Sequence, residues 1–118
     1  MESRWQEIYK KLKDGGIDVY APSQKTGECL KPYVVVKDGG LTDIAGISSS
    51  QHVYDILCYV PKANYSTLEP YVERVEDILL GLYPMLRPLN SKTPSYYDDT
   101  VKAHMISVSY TNYRKNRR

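Results

Sequence analysis

Apolar residues at Trp5, Ile8, Tyr9 and Leu12 follow the i, i+3, i+4, i+7 spacing of one helical face. Ser3 and Gln6 have capping-box spacing ahead of that face, and Gly15-Gly16 predicts its stop. Ile17 to Tyr20 reads as a short strand ended by Pro22, followed by a polar loop over 23–31 that leaves Cys29 open to solvent. Tyr33 to Lys37 is rich in β-branched residues and predicts a strand that Asp38-Gly39-Gly40 ends. From Gln51 to Val60 the chain alternates. His52, Tyr54, Ile56, Cys58 and Val60 share one face, and Val53, Asp55, Leu57 and Tyr59 share the other. The connection between these strands, residues 38–50, spans about 13 residues, whereas hairpin loops usually take 2–5. It carries Leu41, Ile44 and Ile47, which a purely solvated loop does not need. The pattern predicts a protruding arm that folds against a partner, with Leu41, Thr42, Asp43, Ile44 and Ile47 as its candidate contacts.

A second helix is written more strongly. Leu68, Tyr71, Val72, Val75, Leu79 and Leu82 keep one face over four turns, Ser66 and Glu69 have capping-box spacing, and Pro70 falls in the permitted first turn. Leu80 lies about 120° from the centre of that stripe at about 100° per residue, which makes it a candidate subunit contact. Pro84, Pro88 and Pro94 break the following stretch into an extended connection, and alternation returns from His104 to Tyr113. The order α-β-β-β-α-β predicts an α+β domain over residues 1–113. A small mixed or antiparallel sheet of about four strands carries two helices on one face. Residues 114–118 are set apart as a basic tail.

Composition narrows the function classes. The 118 residues carry 16 Lys and Arg against 14 Asp and Glu, a balance too even for a protein defined by non-specific nucleic-acid binding. Arg114, Lys115, Arg117 and Arg118 hold four of those positive charges, so the body is slightly acidic and the tail is a localised basic feature, a candidate for docking an acidic partner. No apolar run approaches the roughly 18 residues of a membrane span, and no signal-peptide pattern opens the sequence. Twelve tyrosines and no phenylalanine exceed what one small core requires. Tyrosine suits half-wet contacts, with its ring and hydroxyl in different surroundings.

Candidate chemistry is sparse. The two histidines, His52 and His104, stand at predicted strand starts; Cys58 lies mid-strand, and Asp98-Asp99 sits in a polar loop. Two cysteines cannot form a four-cysteine zinc site, and neither Gly-Gly pair has the spacing of a phosphate-binding loop. The expectation is a protein without catalytic activity, cofactor or metal.

Several phrases together resemble a known family. They are Gly-Gly-Ile-Asp-Val-Tyr-Ala-Pro, Lys-Pro-Tyr-Val-Val-Val-Lys-Asp-Gly-Gly before a long loop, and Tyr-Asp-Ile-Leu-Cys-Tyr-Val-Pro. Asn-Tyr-Ser-Thr-Leu-Glu-Pro-Tyr-Val-Glu-Arg-Val then enters the long helix, and His-Met-Ile-Ser-Val-Ser-Tyr-Thr forms the last strand. In this order and length the chain resembles the small tail terminator, or tail completion, proteins that join heads to tails in long-tailed phages and prophages. The resemblance implies a structural virion protein of α+β fold that acts as a homohexameric ring. Such a ring caps the tail tube, ends tube polymerisation and forms the head-joining surface, without catalysis or cofactor. It further implies the tail tube protein and head-connector or neck proteins as partners, and DNA passing through a channel without sequence-specific contacts. The place of action is then the virion tail or neck, and the host cytoplasm during assembly. The alternatives are a stand-alone nucleic-acid-binding α+β domain, recognised by tyrosines and basic residues converging on one surface, and a tail-assembly adaptor or chaperone.

Overall fold

A computed structural model describes residues 5–22, 24, 27–43, 49–83 and 85–115, with the backbone alone for 39–43, 49–51, 90–91 and 113–115. The elements run α1 (Trp5–Asp14), β1 (Val19–Tyr20), β2 (Tyr33–Asp43), β3 (Ser49–Pro61), α2 (Leu68–Leu79), β4 (Arg87–Lys92), β5 (Tyr96–Asp98) and β6 (Ala103–Lys115). Short 3₁₀ turns flank α2 at Lys62–Thr67 and Leu80–Leu82. The class is α+β, with a mixed sheet of six strands in the order β1-β2-β3-β6-β4, and β5 also on β6. β1 runs parallel to β2, and every other pair is antiparallel.

α1 ends where the glycines predict. Gly16 takes φ +86, Ile17 N–H donates to Leu12 C=O at 3.0 Å, and Gly16 N–H donates to Lys13 C=O at 3.0 Å. This is the Schellman arrangement, closed by the buried pair Leu12 and Ile17. Ser3 lies outside the described residues. α2 starts at Leu68 after a 3₁₀ turn, so Ser66 is not its cap. Thr67 stands at that position and turns its hydroxyl back to Asn64 C=O at 2.7 Å.

Both helices lie on one face of the sheet. Ile8 and Leu12 of α1 and Leu68, Val72, Val75 and Leu79 of α2 bury the even-numbered side chains Val34, Val36, Tyr54, Ile56, Cys58, Val60, Ile106, Val108 and Tyr110. Trp5 Nε1 donates to Val36 C=O at 2.7 Å and ties α1 to the outer edge of β2. On the opposite face a smaller cluster joins Cys29, Tyr33 and Ala103, flanked by Tyr20, Tyr59 and Val101. Cys29 is therefore buried, not open to solvent: its N–H donates to Val101 C=O at 2.7 Å, and the loop folds back over Tyr33.

Two features of the sheet differ from the sequence reading. The extended connection holds β4 and β5, which together form an interrupted edge strand along β6, joined by Thr93 N–H donating to Ser107 C=O at 3.0 Å. Its prolines are compatible with an edge, where a missing N–H breaks no ladder. The presumed long loop is mostly strand. β2 continues to Asp43 and β3 begins at Ser49, with a bulge between Asp38 and Gly40.

Candidate functional site: the bare end of the sheet

The helical layer covers only part of three long strands. β3 and β6 have 13 residues each, about 43 Å at 3.3 Å per residue, and the molecule measures 52 × 26 × 24 Å. On β3 the core side chains run from Val60 to Tyr54, and on β6 from Ile106 to Tyr110. Beyond them the three strands continue as a ribbon. Leu41 pairs with His52, Thr42 with Gln51 and Asp43 with Ser50; on the other side His52 pairs with Asn112, Gln51 with Tyr113 and Ser50 with Arg114.

A polar group marks the root of the ribbon. His52 is buried and stacks on Tyr54, with ring centroids 4.8 Å apart and planes 4° apart, and its Nε2 lies 2.6 Å from Asp38 Oδ1. The Thr111 hydroxyl, fully buried, donates to His52 C=O at 2.9 Å. Two atoms on the same rung, His52 Nδ1 and Asn112 Oδ1, are buried without a hydrogen-bond partner. The core thus gives way from apolar to polar side chains where the helices end.

The structure distributes the sequence-predicted residues as follows. Leu41, Thr42 and Asp43 belong to β2 and not to a loop; Ile44 and Ile47 lie outside the described residues. Arg114 and Lys115 are the last residues of β6, paired with Ser50 and Ser49, so the tail is in part sheet; Arg117 and Arg118 lie outside the described residues. Leu80 is 64% exposed at the end of α2, as its angle off the stripe requires. It rims a cleft of about 200 Å³ together with Asp77, Leu86, Pro88 and Tyr110, and Tyr83 and Met85 nearby are also exposed. Leu41, Thr42 and Asp43 therefore share one region with Arg114 and Lys115, while Leu80 stands on the helical layer.

Elsewhere the side chains are quiet. Burial pushes the Cys58 thiol up to about 12, far from a reactive thiolate, and the buried Cys29 thiol donates to Lys31 C=O at 3.3 Å. Burial likewise raises the Tyr33 and Tyr59 hydroxyls to about 12. Asp98 accepts from the N–H of Thr100 at 3.0 Å and also from its hydroxyl. Among the described residues no group of three His, Cys, Asp or Glu is placed to hold a metal ion, and no helix is long and apolar enough to cross a membrane. Exposed aromatics gather at the other end of the molecule. Tyr65 and Tyr97 both contact the His104 ring, at 4.7 and 5.3 Å, and Tyr96 lies beside Tyr97 on β5. Sequence reasoning did not single these out, because no pattern groups residues 65, 96 and 104 before the strands pair.

Comparison of the chain with protein-family models gives no match, and comparison with curated proteins gives none.

Proposed function

We propose that this chain is a ring-forming structural subunit of the tail terminator type. It caps a phage tail tube, ends tube polymerisation and offers the surface that joins the head. The observation that carries the reading is the three-stranded ribbon that leaves the helical layer, a shape suited to contact between molecules more than to enclosing a substrate. The exposed Leu80, Tyr83 and Met85 add an apolar patch at the end of α2, outside the ribbon. Two unlike patches on one subunit are what a heterologous, closing interface needs. The resemblance of the sequence to terminator proteins supplies the rest: six copies, the tube and neck proteins as neighbours, DNA in the channel, and the virion as the place of action.

The arrangement argues against stand-alone nucleic-acid binding. Its mark would be tyrosines and cations on one surface. Here the exposed tyrosines gather around His104, while Arg114 lies ten positions further along the same strand, about 34 Å away, with Tyr113 as the one tyrosine beside it in the chain. The deciding experiment is native mass spectrometry of the protein, alone and mixed with tail tubes. A closed ring, in solution or on tubes, is the expected result. A monomer in both samples that shifts with short DNA would transfer the reading to nucleic acid.

A further inference from the structure

The ribbon has two bare edges. β1 pairs with β2 only at Val34 and Val35, so among the described residues no strand flanks the outer edge of β2 at 40–43. β4 reaches β6 only as far as Thr111, so among the described residues no strand flanks the outer edge of β6 at 112–115. The two edges cover the same rungs. Ser50, Gln51 and His52 each pair with β2 on one side and β6 on the other, which puts Asp43 level with Arg114, Thr42 with Tyr113 and Leu41 with Asn112. An unpaired edge is a template for another strand.

The hydrogen-bonding groups on these edges can be assigned by alternation. Val34 N–H donates outward to Asp18 C=O at 2.8 Å, so the backbone of its partner Cys58 points to β6. β3 pairs with β6 without a register break, so Ile56, Tyr54 and His52 point the same way. Leu41, opposite His52, therefore turns its backbone groups outward, and Asp43 does the same. On β6, Ser107 C=O accepts from Thr93 N–H and Ser107 N–H donates to the Thr93 hydroxyl, both on the side away from β3, so Tyr113 and Lys115 also point outward. Since β2 and β6 both run antiparallel to β3, they run parallel to each other. Outward groups on 41 and 43 facing outward groups on 113 and 115, offset by one residue, match a parallel ladder.

We propose that the bare edge of β2 in one copy pairs in parallel with the bare edge of β6 in a second copy, joining the ribbons head to tail. Tyr113 N–H donates to Leu41 C=O, Asp43 N–H to Tyr113 C=O, and Lys115 N–H to Asp43 C=O. The rung that brings Asp43 to Arg114 unites opposite charges, whereas β2 meeting β2 would place aspartates on both sides. Each copy carries one edge of each kind and uses both, so the contact repeats from copy to copy and ends in a ring where the rotation closes. The inference deepens the ring reading above and takes only the copy number from it. Six copies would close about 18 strands, a barrel wide enough for an aqueous channel.

The test is disulfide trapping in the full chain. Asp43 and Arg114 of one chain flank Ser50 on opposite sides, about 9.6 Å apart across two strand spacings, too far to bridge each other. The native Cys29 and Cys58 are buried. Oxidised D43C/R114C protein should form a covalent ladder of multimers ending in a closed species, read by non-reducing electrophoresis and native mass spectrometry. Mixed D43C and R114C single variants should give heterodimers only. Tyr113→Pro in the double-cysteine background, which removes one of the three donors and crowds the edge, should cut the yield about tenfold, while Tyr113→Phe should not. Homodimers of D43C overturn the proposal, because they mean that β2 edges pair with each other. A chain that stays monomeric, alone and on tubes, overturns it as well. The two readings separate cleanly: a ladder without tube capping keeps the edge pairing and removes the terminator role, and capped tubes without a ladder do the reverse.

Discussion

Residues 54–60 and 49–53 belong to one strand, yet they meet different surroundings. The first stretch lies under two helices, and Tyr54, Ile56, Cys58 and Val60 are fully buried. The second leaves the helices behind, and among its described side chains the buried one is His52, with a carboxylate on one ring nitrogen and nothing on the other. Backbone pairing is equally continuous in both halves, because β3 keeps its register with β6 from Ser49 to Pro61. What differs is apolar burial. Ladder hydrogen bonds contribute modestly, since the unfolded chain exchanges them with water, whereas each buried apolar side chain adds about 1.5–3 kcal/mol. The helix-covered half therefore holds the fold, and the ribbon is carried by it.

The sharpest way to break this comparison is Ile56→Ala, which opens a cavity beneath both helices. It should cost about 2–5 kcal/mol in urea unfolding. Val53→Ala, half-buried on the face of β3 turned away from the helices, should cost far less, and equal costs would mean that burial beneath the helices does not set the stability.

Alkali should attack the covered half next. Burial raises the hydroxyls of Tyr33 and Tyr59 to about 12 and those of Tyr71 and Tyr110 further upward. In the unfolded chain these groups ionise near 10. The folded state therefore holds protons that the unfolded state releases. The stability due to their burial is fully present below pH 10 and is lost as pH rises from about 10 through 12. Urea midpoints measured across that window should fall steadily. A flat profile would mean that these hydroxyls ionise without unfolding.

Thr111→Val tests the boundary itself. It removes the donor to His52 C=O while keeping the shape, and should cost about 0.5–1.5 kcal/mol, with amide exchange accelerating at 112–115 more than at 104–108. Leu80→Asp should have the smallest effect on the fold, within about 0.5 kcal/mol, because the side chain is exposed. If Leu80 is a subunit contact, the same variant should still lower ring yield in native mass spectrometry.

Much of the covered half was legible in the sequence. The stripe from Leu68 to Leu79, the alternation from His52 to Val60 and the glycine stop after α1 are local patterns with one geometric solution, and each took that form. The misses have a common physical cause. β4 carries Pro88 and shows no alternation, because an edge strand needs neither a full ladder nor two-sided patterning. Residues 38–43 contain two glycines and a bulge, which read as a loop until β3 supplies the partner that extends them. Cys29 lies in a polar stretch and is buried only because that stretch folds back over Tyr33 and Val101.

The candidate site divides in the same way. The sequence alone determined that Leu80 stands off its helical stripe and that positive charge collects at 114–118, since both follow from residue type and local period. It also determined the α+β class, because helical and strand periods alternate along the chain. Tertiary structure alone decided that Asp43 and Arg114, 71 positions apart, occupy opposite edges of one rung. It alone decided that the helices stop short of the strand ends. Both facts depend on register across non-adjacent strands, and register is set by how the buried faces meet, not by any segment taken by itself.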